Sequence, residues 1–210
     1  MTIRDSGEGS TAKQALKAAA RAILGPYRFN RIYRSGPADL ELAQPPGISV
    51  QHLESLPRES IQDPDLRGRL WYGGDDASGY GLFLNGDVVA TCWFWGPRRF
   101  NDPLLWALQK DEAMLMDVIT ASSHRGQGFA PLLIQEASMQ MRQRGWNPLY
   151  AFIWHSHHAS YHAFEKAGWS QIAWVLEVRP FGMRRGFRLC WRTRLTKPAR
   201  DAVDTAVDAG

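Results

Sequence analysis

The segment from Arg125 to Ala130 combines residue types and a spacing that suit phosphate binding. It reads Arg-Gly-Gln-Gly-Phe-Ala and runs directly into Pro131. Glycine lets the backbone turn sharply close to a ligand, and the first turn of a helix directs unpaired N–H groups and a positive dipole end toward an anion. Arg125 adds a side chain that makes charge-assisted hydrogen bonds. Because a glycine turn before a helix also serves as a simple cap, phosphate binding and a purely structural turn both stay open for the motif alone.

The elements around this turn are predicted from hydrophobic periodicity and from stop signals. A strand over residues 113–120 leads into the turn, and a helix over residues 131–144 follows it. Pro131 suits the first turn of that helix, because its missing N–H is unpaired there in any case. A second strand at residues 149–153 and a short helix that ends near Trp169 complete the unit. Strand, glycine turn and helix therefore place the motif at the end of a strand.

Four stretches together resemble the GCN5-related N-acetyltransferase (GNAT) superfamily. They are Val118-Ile119-Thr120, the glycine turn from Arg125 to Ala130, Ala159-Ser160, and the run from Phe164 to Trp169. Their order, their spacing and the helix between them all match. The resemblance is close over residues 112–169. It implies an α/β (α+β) fold with a mixed, mostly antiparallel central sheet flanked by helices.

The resemblance also divides the chain into three parts. The acyltransferase domain is expected over residues 47–195, after an N-terminal extension over residues 1–46 that includes a strand at 27–33. Residues 11–24 are predicted to form an extra amphipathic helix with a basic stripe. This helix either packs on the domain or contacts a membrane surface or a partner. Residues 196–210 are small and polar and are expected to form a flexible tail.

The activity that the resemblance implies is transfer of an acyl group from acyl-CoA, expected to be acetyl-CoA, to a primary amine in a ternary complex. The expected acceptor is a small molecule such as an amino sugar or an amino-acid-like amine. The backbone of residues 118–120 would pair with the pantetheine arm of CoA and would stabilise the oxyanion that develops on the thioester oxygen. The glycine turn from Arg125 to Ala130 would bind the pyrophosphate. No metal is expected. The residues expected to contact acetyl-CoA are Val118, Ile119, Thr120, Arg125, Gly126, Gln127, Gly128, Phe129, Ala130, His157, Phe164 and Lys166.

Two positions depart from the family pattern. Many members have a glutamate base where this chain has Met116, and a tyrosine acid where it has Phe164. Asp117 is adjacent to Met116, but strand alternation is expected to point it to the opposite face. The alternative function is therefore a catalytically impaired, acyl-CoA-binding regulatory module of the same fold. The substitute catalytic candidates are His155, His157 and Tyr161, each of which also fits a surface or CoA-contact role.

Composition limits the other classes of function. The chain has 210 residues, an apolar fraction of 44%, a net charge of +4 and a pI near 9.3, which suits a globular protein with an anionic ligand. It has no apolar run long enough to span a bilayer and no signal peptide, and its two cysteines lack metal-ligand spacing, so a cytoplasmic location is expected. No nucleic-acid-binding motif is found, so nucleic acid is not an expected partner. A second copy of the chain is kept as a candidate partner.

Overall fold

The protein is described here by a computed structural model that covers residues 27–36, 42, 45–53, 61–102, 106–179 and 187–192. Eight strands form one sheet in the order β2-β3-β4-β5-β6-β1-β7-β8. The strands are β1 (Tyr27–Ser35), β2 (Ile48–His52), β3 (Ala77–Leu84), β4 (Asp87–Trp95), β5 (Ala113–Thr120), β6 (Leu149–Trp154), β7 (Trp169–Val178) and β8 (Phe187–Arg192). The helices are α1 (Pro64–Arg67), α2 (Phe129–Gln143) and α3 (His158–Lys166), with single 3₁₀ turns at Leu70–Tyr72 and Ser122–His124.

The sheet is mixed and mostly antiparallel. Only the pairing of β5 with β6 is parallel among the strand pairs of the described residues. The expected fold class is thereby confirmed. The predicted helix at 11–24 and the predicted tail at 196–210 lie outside the described residues. Within the described ranges, no helix combines the length and the apolar character needed to cross a bilayer.

Local signals explain the hairpin and the main helix. Asn85 (φ 52°) and Gly86 (φ 96°) connect β3 to β4, as expected for an Asn-Gly pair, which tolerates positive φ at both turn positions. Helix α2 buries one apolar face, including Leu133, Ile134 and Ala137, against the sheet. This packing fixes the start of α2 over the end of β5.

Strand β1 lies in the middle of the sheet. It pairs with β6 on one side and with β7 on the other, and Ile32 and Tyr33 are fully buried. The Tyr33 hydroxyl donates a hydrogen bond of 2.9 Å to Oε1 of Glu165 on α3; burial, followed by that carboxylate, raises the pKa of Tyr33. A domain boundary between residues 46 and 47 would therefore separate β1 from the sheet in which it is central.

We predict that a chain beginning at residue 47 will not unfold cooperatively. Loss of β1 removes the hydrogen-bonding partner of both β6 and β7 and leaves two buried edges without pairs. A chain that lacks residues 196–210 keeps every described strand and is the matched control. Circular dichroism during urea titration measures both. A cooperative transition of normal steepness in the chain that begins at residue 47 would show that β1 is dispensable.

Candidate functional site

Strand β5 carries a bulge at the point where it separates from β6. Its register with β4 shifts between the pairs Phe94–Leu115 and Trp93–Asp117, so Met116 has no partner on β4. Pairing with β6 ends at Leu115, whereas β6 stays paired with β1 along its other edge as far as Trp154. Residues 116–120 therefore line a gap in the sheet. Within the described chain, their backbone groups on that side have no strand partner.

The bulge also corrects the predicted direction of Asp117. A bulge places two successive residues opposite one residue of the neighbouring strand and interrupts side-chain alternation. Met116 packs in a cluster with Trp95, and the Trp95 ring lies 5.6 Å from that of Tyr72. Asp117 lies 3.7 Å from Arg69, which belongs to the same turn region as Tyr72. Asp117 and Met116 thus share the face of the sheet that is opposite α2, and the expectation of opposite faces was wrong.

The start of α2 presents free donors beside this gap. Gly126 and Gly128 have φ values of 78° and 82°, a conformation that costs other residues roughly 1–2 kcal/mol. Gly128 is the N-cap of α2, yet no side chain among the described residues caps the helix, and its first turn contains no acidic residue. The N–H groups of this turn and the positive end of the helix dipole are therefore available to an anion.

A cleft of about 460 Å³ joins the open edge of β5 to the start of α2. Ten of the twelve residues expected to contact acetyl-CoA line it, and the other two, Gln127 and His157, do not. The ten are Val118, Ile119, Thr120, Arg125, Gly126, Gly128, Phe129, Ala130, Phe164 and Lys166.

Several lining residues were not predicted. Helix α3 contributes a small-residue face that leaves room for a ligand between the two helices. The spacing of Ala159 and Ala163, one helical turn apart and next to Phe164, is a signal that sequence reading could have used. The unpredicted lining residues are His124, Pro131, Ile134, Ala159, Ser160, His162 and Ala163.

The rim of the cleft is basic. Arg125 and Lys166 are exposed, and Nε of Arg125 donates a hydrogen bond of 3.3 Å to the carbonyl oxygen of Thr120. Nδ1 of His162 lies 3.5 Å from Oε2 of Glu165. Two permanent cations and an uncapped helix start surround a mainly apolar channel, which suits a ligand with a phosphate group at one end and a thin, uncharged arm.

A model of the acetyltransferase (GNAT) family matches residues 48–169. The chain belongs to the GNAT family. Members of this family are N-acetyltransferases that use acetyl-CoA as co-substrate. The matched range contains the bulged strand, the glycine turn and both helices of the cleft, so the cleft is the part of this GNAT chain that the family model describes.

A solved structure with a TM-score above 0.5 has the same fold. A tandem GNAT protein from the clavulanic acid biosynthesis pathway is 14% identical, with a TM-score of 0.51, over 88% of this chain and 61% of its own length. A GNAT-family protein from Novosphingobium aromaticivorans is 19% identical, with a TM-score of 0.49, over 73% of this chain and 64% of its own. The match thus spans less than two thirds of the length of either. A comparison with curated protein sequences finds no match.

The three predicted catalytic residues do not line the GNAT cleft. His155 packs against the Phe29 ring, with centroids 5.0 Å apart, and His157 is exposed at the N-cap of α3. Tyr161 is buried; its hydroxyl bonds to Nδ1 of His158, and its ring lies 4.0 Å from the Arg31 guanidinium. Their catalytic roles remain predictions that this geometry does not favour.

Phe164 fills the position of the missing tyrosine acid without offering a proton. It is buried, lines the cleft and packs its ring edge-on against Trp169, with centroids 5.1 Å apart. Among the described residues, no cluster of three or more His, Cys, Asp or Glu side chains is arranged to hold a metal ion.

We predict that Gly128→Ala weakens CoA binding about tenfold or more, a loss of about 1.4 kcal/mol. Alanine at φ 82° must distort the turn and displace the N–H groups that would bind phosphate. Gly145→Ala is the matched control. Gly145 has φ 92° at the other end of the same helix and, as at Gly128, an added Cβ would have no other atom within 4 Å. Calorimetric titration with CoA compares the two variants. Equal affinities would show that the turn at Gly128 does not contact the ligand.

Proposed function

We propose that this GNAT protein transfers an acetyl group from acetyl-CoA to the primary amine of a small molecule, by direct attack in a ternary complex. The observation that carries the proposal is the continuity of the cleft. One channel leads from the uncapped, basic start of α2 to the open backbone edge of β5. An elongated ligand with a phosphate at one end would reach the bulge with its other end.

The backbone of β5 would bind the pantetheine arm and the reacting group. Residues 116–120 offer N–H and C=O groups without a partner strand on the side of the gap, and an extended ligand pairs with such an edge as an added strand does. An N–H group at the bulge would stabilise the negative charge that develops on the thioester oxygen. One such donor typically contributes a factor of about 10² to 10³ in rate.

The acceptor would approach from the face opposite α2. On that face, an aromatic and apolar cluster surrounds the bulge: Trp95, Phe100, Met116, Tyr150 and Phe152. The exposed Trp106 extends it, with its ring edge-on to Tyr150 at 5.0 Å. Flat aromatic surfaces bind the apolar faces of rings and side chains. This supports an amino sugar or an amino-acid-like amine as the acceptor class.

The alternative is an acyl-CoA-binding module of the same fold without turnover. The observation in its favour is that Met116 and Phe164, at the usual positions of the base and the acid, carry no exchangeable proton. General acid–base catalysis contributes a factor of about 10² to 10⁴, whereas positioning of the two substrates alone contributes a large part of the rate enhancement. Turnover therefore distinguishes the two functions.

We expect thiol release from acetyl-CoA in the presence of at least one member of a panel of glucosamine, L-phenylalanine, L-lysine and an alanine-terminated peptide. Release of CoA thiol is followed with a chromogenic disulfide, and mass spectrometry identifies the acetylated amine. Gly145→Ala should behave as the wild type, and Gly128→Ala should require more acetyl-CoA for the same rate. Tight acetyl-CoA binding without turnover of any panel member would favour the binding-module alternative.

A further inference from the structure

Asp117 supplies a carboxylate to the acceptor face, next to the position where many family members carry glutamate and this chain carries Met116. The bulge moves Asp117 onto the same face as Met116, directly where β5 separates from β6. Its carboxylate therefore belongs to the same short stretch of backbone that would hold the thioester.

The described residues around Asp117 contact its carboxylate but leave one of its oxygens without a hydrogen bond. Oδ1 lies 3.7 Å from Nη1 of Arg69, which is too long for a normal hydrogen bond. Oδ2 is buried and accepts no hydrogen bond within the described residues. The side chain as a whole is 15% exposed. Because Oδ2 is inaccessible, this exposure lies elsewhere in the side chain, and a ligand could reach the carboxylate only at Oδ1.

The titration of Asp117 is coupled to three neighbouring groups. Burial raises the pKa of the Asp117 carboxyl, and the Arg69 guanidinium partly opposes that rise. Burial and then the Asp117 charge raise the pKa of Tyr72 and of the Cys92 thiol. A carboxylate with an elevated pKa is a better proton acceptor at neutral pH than an ordinary surface aspartate. An unsatisfied carboxylate oxygen is also costly to bury, and a structural role does not account for that cost.

We propose that Asp117 is the general base of the acetyl transfer, and that Arg69 is a positioning residue that orients its carboxylate and moderates its pKa. This inference rests on the proposed function. The amine nitrogen forms a bond to the thioester carbonyl carbon, and the proton that leaves nitrogen passes to Oδ1 of Asp117. The carbon–sulfur bond breaks with its electron pair on sulfur. The CoA thiolate takes a proton from water, and solvent then removes the proton from Asp117.

Substitution of the base tests the proposal. Asp117→Asn is expected to lower kcat/KM for the best panel amine by about 10²- to 10⁴-fold, mainly through kcat, with acetyl-CoA affinity unchanged. The wild type should lose kcat/KM as pH falls through the pKa of the Asp117 carboxyl, and Asp117→Asn should lack that dependence. A slower variant that keeps the wild-type pH profile would indicate only a structural role.

Asp76→Asn is the matched control. Asp76 is similarly buried and also lies 3.7 Å from an arginine, Arg98, while its φ of 55° suits asparagine. It should keep the wild-type pH profile. Urea unfolding of both variants verifies the fold, and Asp117→Asn should unfold at or above the wild-type midpoint, because burial disfavours the charge that it removes.

Arg69→Met provides the second measurement. Removal of the cation raises the pKa of Asp117 further, so the acid limb of kcat/KM, where protonation inactivates the base, should move to higher pH. In Asp117→Asn, and in the double variant, this limb should disappear. An unmoved limb in Arg69→Met, or wild-type rates in Asp117→Asn, would overturn the assignment of Asp117. Absence of turnover by the wild type would instead contradict the proposed function itself.

Discussion

The separation of β5 from β6 is the constraint on which the rest of the site depends. A strand that stayed paired along its whole length would leave no backbone edge for a ligand and no passage between the two faces of the sheet. The unpaired Met116 ends that pairing, because a bulge bends its strand and strengthens the local twist. The same distortion opens the cleft on the side of α2 and turns Asp117 toward the opposite side. One extra residue in the β4–β5 pairing, Met116, thus connects the proposed cofactor site with the proposed proton acceptor.

The gap is held open by what lies on either side of it. On one side, β4 pairs with β5 beyond the bulge and keeps residues 117–120 extended. On the other, β1 pairs with the part of β6 that β5 has left, and Tyr33 connects β1 to α3 through Glu165. Helix α2 then packs across the junction. Each wall of the cleft is therefore attached to a different part of the sheet, and the width between them is set by packing of the core.

Sequence reasoning succeeded where the determining interactions are local. Helical periodicity predicted a helix over residues 131–144, where α2 spans Phe129–Gln143, and the Asn-Gly pair is a local signal for the β3–β4 turn. It failed where a distant strand decides the outcome. The bulge arises from register with β4, so strand alternation gave the wrong face for Asp117. The position of β1 depends on strands far along the chain. His155 and His157 do not line the cleft, and their catalytic roles remain predictions.

The central position of β1 affects the synthesis of the chain as well as the stability of the folded sheet. Its partners on β6 and β7 follow it by more than a hundred residues, since Tyr33 lies between Ala151 and Gln171. At roughly 5–20 residues per second, a ribosome needs on the order of ten seconds to synthesise that interval. During this time both edges of β1 are open, and Ile32 and Tyr33 are exposed. Until β6 and β7 emerge, nascent β1 therefore offers two unpaired strand edges to other chains.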